Sequence, residues 1–440
     1  MSDRRGIVLF ALIALAACGG PSAPTDDTTL APLLGVAGGG NSAVVPDEYI
    51  VALRGAPPGR NSVNTQSRSM AALAGAEVVE VFGNALNGFA MRADGPALAR
   101  IRANPAVEYI EPVQVFRAVA NQTPTPSWGL DRIDQGALPL NNTFSYPTGG
   151  VAVHLYIIDT GILLTHSQFS GRMGSGYDAI TQGGTGNDCD GHGTHVAGTA
   201  GGTTYGIMKT ATMHPVRVLD CNGSGTTTSV LAGINWVISN AVAPAVSNMS
   251  IGGGPSTSLD NATNNMVAAG IVSAVAAGNS STNACTSSPA SAASALTVGS
   301  TTITDVRSSF SNFGTCLDLF APGSGVFSSY IGGNNATATL SGTSMASPHV
   351  AGVAALYRSF NPSHTPAQVM AAIVGQATPN RVTSPGTGSP NLLLYSGFIG
   401  GGPPPPPNQS PIASLTYQCV PRSDGAVSYT HLTLPTNREV

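Results

Sequence analysis

An almost unbroken apolar run at residues 151–158 is typical of a strand that is buried on both faces of a parallel sheet. Similar apolar segments recur at residues 216–219, 246–251 and 271–276, and stretches of helical composition such as residues 226–241 separate them. Parallel strands need crossover connections, which helices usually supply, so this alternation predicts a doubly wound, mostly parallel α/β domain. In such a domain the functional crevice lies at the carboxyl ends of the strands.

A smaller folded unit is predicted upstream, at residues 46–120. Short apolar strands alternate there with two stretches of helical composition, residues 61–74 and 96–103, in the order β-α-β-β-α-β. This order predicts a small α+β domain of the split-βαβ, ferredoxin-like type. About 70 residues are enough to fold, but they give only marginal stability.

The amino-terminal 18 residues have the pattern of an export signal. Arg4 and Arg5 precede an apolar run at residues 7–17, which is long enough for a signal peptide and too short to span a bilayer. The run ends in LAAC, which resembles a bacterial lipobox with Cys18 as the lipidated residue; an ordinary cleaved signal with an incidental cysteine is the alternative. Either interpretation predicts export and admits disulfide bonds.

Three segments are predicted to lie outside the folded units. Residues 19–45 are rich in Pro, Gly, Thr and Ala and are interpreted as a flexible linker, while residues 399–408 contain five prolines and predict a semi-rigid spacer. Residues 409–440 begin like a truncated β-sandwich module of the PKD type. The last part, GAVSYTHLTLPTNREV, resembles translated sequencing-adapter read-through and is interpreted as non-native; a natural unstructured tail is the alternative.

Composition excludes several classes of partner. Only 9% of the residues are charged and the formal net charge is -4, so the chain lacks the basic surface of a nucleic-acid-binding protein.

Four polar residues at the predicted strand ends and helix starts form a candidate catalytic set. Asp159 ends a strand in IIDTG, His192 opens a helix in GHGTHVAGT, and Ser344 begins a helix in GTSMASPHVAG, where Pro348 is expected in the first turn. Acyl transfer needs a nucleophile, a general base and a carboxylate that orients the base. Asn279 in AAGNS is placed to donate to an oxyanion together with the Ser344 N–H. Each residue alone has a structural interpretation as a cap or turn residue, but the set predicts nucleophilic catalysis.

These four blocks, with WGLDRIDQ and VRVLDCNGSG, resemble the signature sequences of the subtilisin-like serine proteases and their proteinase K and aqualysin branch. The similarity covers residues 123–398. It implies a catalytic domain at residues 121–398 that is a serine endopeptidase, with Asp159, His192 and Ser344 as its triad and Asn279 as the side chain of its oxyanion hole.

The same resemblance implies that residues 46–120 are a propeptide, which acts as intramolecular inhibitor and chaperone until self-cleavage near Ala120. If Cys18 carries a lipid, the anchor lies on the propeptide side of that cut, and the precursor is an outer-membrane lipoprotein. Maturation then releases the enzyme from the membrane. We expect a secreted monomer that acts on polypeptides.

The family binds an extended peptide against the segments SIGGG and AAGN. Carried over to this chain, the first segment supplies backbone pairing and the small residues of both line the first side-chain pocket. No charged residue is among them, so we expect broad specificity with a preference for large apolar residues before the cut. The predicted substrate-binding residues are Ser250, Ile251, Gly252, Gly253, Ala276, Ala277 and Gly278.

Apart from Cys18 and Cys419, four cysteines remain, which allow three pairings. The family branch implies that Cys189 pairs with Cys221 and that Cys285 pairs with Cys316. Four free buried thiols are the alternative.

No cofactor is expected for catalysis, but structural calcium is, because its ligands are carboxylates and carbonyls in loops. The resemblance implies one site formed by Asp318 with the carbonyls of Ala293 and Ala295. A second site is left open, because Thr143 stands where relatives often have asparagine. Its ligands would be Asp131, Asp134, Gln135 and Asn141.

Three other functions use similar residues, and the sequence argues against each of them. A zinc protease motif spaces its histidines four residues apart around a glutamate, which His192 and His195 do not, so His195 and His349 are interpreted as structural histidines. An esterase would carry Gly-x-Ser-x-Gly, and residues 342–346 lack the final glycine. A catalytically inactive exported binding module would not require an intact triad together with Asn279.

Overall fold

The computed structural model describes residues 30–34, 44–55, 60–114, 119–400, 420–421 and 427–428. They divide into two compact units, with the boundary between Val113 and Gln114. No helix in this described part of the chain is long and apolar enough to cross a membrane. The predicted signal peptide and Cys18 lie outside the described residues, as do most of the two linkers and of the carboxyl-terminal segment.

The first unit has the element order β-α-β-β-α-β, and its four strands form a sheet in the order β2-β3-β1-β4. The elements are β1 (Val44–Leu53), α1 (Arg60–Ala74), β2 (Glu77–Val81), β3 (Gly88–Arg92), α2 (Gly95–Arg102) and β4 (Val107–Gln114). Apolar residues of both helices and of the sheet form one core, in which Phe89, Met91 and Ile110 are fully buried.

Residues 30–34, which the sequence assigns to a flexible linker, lie against this sheet. Leu33 bridges Ile110 of β4 in parallel, and the Ala31 N–H donates to the Arg102 carbonyl at 2.8 Å. Ala31 is 4% exposed and belongs to the core of the unit. The low-complexity composition of this segment predicted no packing, although Ala31 lies in the core of the first unit.

The second unit contains the long sheet and most of the helices. Its elements are β5 (Val119–Gln122), α3 (Trp128–Ile133), β6 (Phe144–Pro147), β7 (His154–Asp159), β8 (Tyr177–Asp178), α4 (His192–Gly201), β9 (Thr212–Arg217), α5 (Thr227–Asn240), β10 (Ala245–Met249), α6 (Thr257–Ala268), β11 (Val272–Ala276), β12 (Leu296–Thr301), β13 (Leu319–Pro322), β14 (Val326–Ser329), β15 (Thr337–Leu340), α7 (Thr343–Phe360), α8 (Pro366–Gln376), β16 (Thr378–Pro379) and β17 (Leu392–Leu393). Two short strands, β18 (Val420–Pro421) and β19 (Val427–Ser428), pair with each other farther along the chain.

The nine-stranded sheet has the order β16-β17-β13-β12-β11-β10-β7-β9-β8, and every pair is parallel except β16 with β17. The predicted doubly wound, mostly parallel architecture is confirmed. The chain leaves β7 toward β9 and then returns to place β10 on the other side of β7. The strand order therefore reverses between β7 and β10, which is where ligands bind in sheets of this type.

Strand β7 shows why the sequence reads as continuously apolar. Leu155 and Ile157 pack into the core beneath α4 and α7, whereas Tyr156 and Ile158 pack into a second core beneath α5 and α6. All four side chains are fully buried. A strand covered by helices on both faces has no position for an exposed polar residue.

One predicted strand boundary differs from the structure, and the predicted cleavage position can be located in it. The strand expected at residues 216–219 is β9, Thr212–Arg217, whose His214 and Pro215 interrupt the apolar signal although both are buried. The predicted cleavage position near Ala120 falls within β5, where Ala120 pairs with Tyr146 of β6.

Candidate active site

Asp159 and His192 meet at the carboxyl end of β7. Asp159 is the last residue of the strand and is fully buried, and its Oδ1 accepts the N–H of Thr160 at 2.8 Å. His192 is the first residue of α4, and its Nδ1 lies 2.7 Å from the same Oδ1. This contact fixes the orientation of the imidazole and leaves its Nε2 available for another partner.

The amino end of α4 is held by Asp188, which is 3% exposed. Its Oδ1 accepts the N–H groups of Asp190 and Gly191, and its Oδ2 accepts the N–H and the hydroxyl of Thr194. Gly191 has φ of 109°, which favours glycine directly before His192. Sequence reasoning missed Asp188, although an aspartate just upstream of a helix start is a recognised capping signal.

Electrostatics favour the protonated form of His192. Burial lowers the pKa of this imidazole, but the Asp159 carboxylate, through its charge and its hydrogen bond, more than offsets that effect, and Asp190 and Asp188 add to it. The net result is a pKa above the ordinary 6.5. An imidazole in this environment is a stronger base than a free one.

Ser344 is the second residue of α7, so its backbone N–H has no partner within the helix. Its Oγ donates to the Ser250 carbonyl at 3.1 Å. No hydrogen bond joins Ser344 Oγ to His192 Nε2 within the part of the chain that the structure describes. Contacts between nucleophile and base are often long in substrate-free enzymes, and a rotation about one side-chain bond redirects the hydroxyl.

Pro348 lies beyond the first turn of α7, contrary to the sequence expectation. It has no N–H to donate to the Ser344 carbonyl, which is the i−4 acceptor in a regular helix. The Ser250 hydroxyl donates to that carbonyl instead, at 2.8 Å, and accepts from Asn248 Nδ2. Asn248 in turn accepts from the Ser347 hydroxyl, so the end of β10 is tied to the first turns of α7.

Asn279 follows β11 and is oriented by Thr343. Its Oδ1 accepts the backbone N–H of Thr343 at 2.8 Å and the hydroxyl of Thr343 at 2.9 Å. The same hydroxyl accepts the Gly278 N–H at 3.1 Å. Since its oxygen is engaged, the Asn279 amide presents its Nδ2 as the donor. Sequence reasoning missed Thr343, whose only signal was its place directly before the serine.

A pocket of about 360 Å³ adjoins Ser344. The six predicted residues from Ile251 to Gly253 and from Ala276 to Gly278 line it together with Asn279, and none of the described lining residues is charged. Further residues that the sequence did not predict also line it: Gly254, Ser280, Thr286, Ser287, Asn312 and Thr343.

A second depression of about 500 Å³ extends from His192 and Ser250 along the other side of Ile251. Sequence reasoning missed most of this depression, because its walls come from a glycine-rich loop and from two helices that carry no motif. The missed lining residues include Leu219, Gly223, Gly225, Val230 and Leu259.

His195 and His349 are structural, as predicted. His195 Nε2 donates to the Val326 carbonyl at 3.0 Å, and His349 Nδ1 donates to the Met345 carbonyl at 2.8 Å. Burial lowers the pKa of each to about 4, so both imidazoles are neutral at ordinary pH.

Both predicted disulfide bonds are present. Cys189 pairs with Cys221 and Cys285 pairs with Cys316, with Cα–Cα distances of 5.0 and 5.3 Å. The first bond joins the loop before His192 to the loop that walls the larger depression.

The region proposed for the first calcium site contains a partly buried carboxylate, Asp318, which has no positively charged partner among the described residues. Asp318 Oδ2 accepts the Thr297 N–H at 2.7 Å, and Ala293 and Ala295 lie just before that residue in the chain. Burial raises the pKa of Asp318 to about 6. An oxygen-rich loop with such a carboxylate fits a hard cation.

The region of the second site shows a similar feature. Asp134 Oδ2 accepts the Ser145 N–H, while its Oδ1 is buried and has no hydrogen-bond partner among the described residues. Burial, with the neighbouring Asp131 carboxylate, raises the pKa of Asp134 to about 7. The other predicted ligands are hydrogen-bonded to backbone. Both carboxylate oxygens of Asp131 accept backbone N–H groups, as does Asn141 Oδ1. The Gln135 amide donates to the carbonyls of Ala137 and Pro139.

Clusters of three or more His, Cys, Asp or Glu side chains suited to a metal are not found within the described ranges.

A doubly wound parallel sheet with a histidine–carboxylate pair, a serine at a helix start and an asparagine donor beside it defines a serine hydrolase. The chain belongs to the Subtilase family, whose profile matches residues 150–395. It is therefore a serine endopeptidase.

Named relatives agree with this assignment. An extracellular serine proteinase of Thermus sp. (strain Rt41A) is 57% identical over 324 residues, which cover 74% of this chain and 79% of the relative. Alkaline serine exoprotease A of Vibrio alginolyticus is 49% identical over 73% of this chain and 60% of its own length. The crystal structure of a cold-adapted subtilisin-like serine proteinase is 50% identical, with a TM-score of 0.59, and the match covers 61% of this chain and 97% of that one.

Proposed function

We propose that Asp159, His192 and Ser344 form the catalytic triad of this endopeptidase and that Asn279 completes its oxyanion hole. The observation that carries the proposal is the 2.7 Å contact between His192 Nδ1 and the fully buried Asp159 at the carboxyl end of β7. Ser344 Oγ donates to the carbonyl of Ser250, which directly follows the neighbouring strand β10. The carboxylate stabilises the imidazolium that forms when His192 takes a proton.

In the first step Ser344 Oγ attacks the carbonyl carbon of the scissile peptide bond and its proton passes to His192 Nε2. The carbonyl oxygen becomes an oxyanion, which accepts hydrogen bonds from Asn279 Nδ2 and from the Ser344 N–H. These donors are held in place before the reaction, by Thr343 for the amide and by the helix start for the N–H, so they need little reorganisation.

Collapse of the tetrahedral intermediate breaks the carbon–nitrogen bond, and the imidazolium gives its proton to the leaving amine. The acyl group remains on Ser344 Oγ. Water then attacks the ester, with His192 again as general base, and releases the carboxylic acid and the free serine.

The pocket beside Ser344 supports a preference for large apolar residues before the cut. The small residues Gly252, Gly253 and Ala276 to Gly278 leave a space of about 360 Å³, and its polar lining residues are all uncharged. We propose that an extended peptide pairs with the backbone of Ser250–Gly253, in which the N–H and carbonyl of Gly253 are already paired with Ser288 in the substrate-free structure. Rapid cleavage after Lys or Arg, with none after Phe or Leu, would contradict this specificity.

We also propose that calcium stabilises the fold without taking part in catalysis. Asp318, with the carbonyls of Ala293 and Ala295, would hold one ion, and the orphaned Asp134 oxygen supports a second site with Asp131, Gln135 and Asn141. A bound cation would supply the positive charge that these buried carboxylates lack.

The first unit is proposed to be an inhibitory propeptide that the enzyme removes by its own activity. Its compact βαββαβ fold, which forms a unit of its own, supports this role. If Cys18 is lipidated, the cut frees the enzyme from the membrane as a secreted monomer. Recovery of the mature catalytic unit with its lipid still attached would refute the release.

Casein hydrolysis by purified enzyme, with and without a serine-directed peptidyl phosphonate, tests the proposed triad. We expect the phosphonate and the Ser344→Ala substitution each to abolish hydrolysis. Casein hydrolysis that survives in Ser344→Ala would rule out Ser344 as the nucleophile.

A further inference from the structure

A second asparagine, Asn312, brackets the loop that carries Asn279. Asn312 is 1% exposed and lies between β12 and β13. Its Nδ2 donates to the Ala277 carbonyl at 2.8 Å, and its backbone N–H donates to the Gly278 carbonyl at 2.9 Å. Both carbonyls belong to the residues immediately before Asn279, so Asn312 fixes the chain on the upstream side.

The same side chain also fixes the downstream side. Asn312 Oδ1 accepts the N–H of Ser280 at 3.0 Å, the N–H of Thr282 at 3.0 Å and the hydroxyl of Thr282 at 3.2 Å. Hydrogen bonds to one buried amide group therefore hold residues 277–282 in a fixed loop, with Asn279 within it.

Gly278 packs tightly against the Asn312 side chain. Gly278 has φ of +100°, and a Cβ at this position would lie 2.4 Å from Asn312 Nδ2. The backbone therefore turns directly against the Asn312 amide, in a conformation that side chains other than glycine rarely adopt. A substitution at position 312 would therefore displace Gly278 and the residue that follows it, Asn279.

The chemistry of these contacts requires both a donor and an acceptor. An asparagine side chain presents a carbonyl and an NH₂ in one planar group. Leucine has a similar volume but would leave the Ala277 carbonyl and the N–H groups of Ser280 and Thr282 unpaired. Aspartate would keep the acceptor and would set a carboxylate oxygen against the Ala277 carbonyl.

We propose that Asn312 is a positioning residue for the oxyanion hole. It holds the backbone on both sides of Asn279, while Thr343 holds the Asn279 side-chain oxygen, and together they aim Asn279 Nδ2 at the developing oxyanion. This inference rests on the proposed role of Asn279. Because the donor is needed most when the oxyanion forms, loss of Asn312 lowers kcat more than it raises KM.

A double-mutant cycle on the full chain, expressed and matured as the wild type is, tests this role. Asn279→Leu, Asn312→Leu and the double variant are assayed on one peptide substrate, with active sites counted by phosphonate labelling. We expect Asn279→Leu to lower kcat about 100- to 1,000-fold. Asn312→Leu should lower kcat about 10- to 100-fold, the cost of a donor displaced by about 1 Å, and should raise KM by a smaller factor, because Asn312 also lines the pocket beside Ser344. The double variant should match Asn279→Leu, because no donor is left to position.

Multiplicative losses in the double variant would overturn the inference, since they would mean that Asn312 acts independently of Asn279. If Asn279→Leu alone leaves kcat unchanged, the proposed oxyanion hole fails instead, so the two failures are distinguishable. Should Asn312→Leu not fold, Asn312→Asp takes its place in the cycle, and an unchanged kcat in that variant overturns the inference equally.

Asn391→Leu is the matched control. Its amide group also acts as both acceptor and donor toward the backbone. Asn391 Oδ1 accepts the Val382 N–H at 2.8 Å, and Asn391 Nδ2 donates to the Val382 carbonyl at 2.9 Å. It lies just before β17, at the amino end of that strand. We expect this variant to lose stability and to keep its kcat; an equal loss of kcat in Asn391→Leu and Asn312→Leu would show a general effect of loop loosening and sink the inference.

Discussion

The Asp159 carboxylate is fully buried, and its Oδ1 accepts both the Thr160 N–H and the His192 imidazole. These contacts support the catalytic role that we propose for this strand-end residue. Backbone fixes the carboxylate, and the carboxylate fixes the tautomer of the histidine. The motifs in the sequence indicated the residues, but the direction of each hydrogen bond became visible only in the fold.

Replacement of Asp159 by asparagine is predicted to lower kcat about 10,000-fold with little effect on folding. An amide keeps the size of the side chain, but its NH₂ can face His192 Nδ1 and impose the wrong tautomer. Steady-state kinetics on a peptide substrate measure the loss. A kcat near that of the wild type would exclude Asp159 from the triad.

The pH dependence of kcat/KM is predicted to follow His192. The enzyme needs the neutral imidazole, and because the pKa of His192 is raised above 6.5, activity is full above that raised pKa and falls as the pH drops through it. In a pH–rate profile the acid limb should therefore lie above pH 6.5. In Asp159→Asn the limb should move to lower pH; a limb that stays in place would show that another group titrates.

At the scale of elements, helix α7 shows both the power and the limit of the sequence. Its motif contains the proposed nucleophile, Ser344, and its small apolar residues predicted a buried helix, as observed. The sequence did not reveal how the Ser344 carbonyl, deprived of its helical donor by Pro348, is satisfied. The donor is the Ser250 hydroxyl, which is 94 residues away in the chain, so no local pattern signals it.

Strand β9 and the amino-terminal segment were misjudged for a related reason. The apolar signal at residues 216–219 located the carboxyl end of β9 but not its start, and the composition of residues 30–34 indicated a flexible linker, although neighbouring strands pair with both segments. Burial that comes from distant partners overrides local propensity. Loops such as residues 223–225, which wall the larger depression, were also missed because glycine patterns carry no chemistry of their own.

Calcium removal is predicted to destabilise the catalytic unit more at pH 8 than at pH 5. The pKa of Asp318 is raised to about 6 and that of Asp134 to about 7, so without metal their ionisation weakens folding as the pH rises from about 4 through these values. Calcium binds only the ionised carboxylates, and its positive charge offsets their negative charge.

The thermal unfolding midpoint of Ser344→Ala, measured with calcium and with a chelator, checks this prediction. The gap between the two midpoints should widen with pH and should shrink in Ser344→Ala/Asp318→Asn. Equal midpoints at pH 8 would remove both proposed sites.

At the scale of the whole molecule, the alternation of strands and helices was sufficient to predict a doubly wound sheet. The position of the site follows from its topology, because the strand order reverses between β7 and β10. His192 lies 33 positions after Asp159 in the chain, and Ser344 lies 152 positions after His192. Only the fold brings such distant residues to the carboxyl ends of the parallel strands. Spacing alone gives no such geometry, and resemblance to the family supplied what physical reasoning from the sequence could not.

Maturation is predicted to depend on the enzyme's own serine. Wild-type chain should lose its amino-terminal unit during expression, while Ser344→Ala should keep it, which intact-mass measurement distinguishes. Addition of mature wild-type enzyme should process Ser344→Ala in trans and controls for accessibility of the cut. Processing of Ser344→Ala at the wild-type rate when it is expressed alone would contradict self-cleavage.

The most direct test of the proposed mechanism is the site of covalent labelling by a peptidyl phosphonate with phenylalanine before the reactive phosphorus. Peptide mapping of the labelled enzyme should place one adduct on Ser344, with labelling and loss of peptidase activity proceeding in equal proportion. Complete inactivation with the adduct on another residue, or full labelling of Ser344 without loss of activity, would contradict the assignment of Ser344 as the nucleophile.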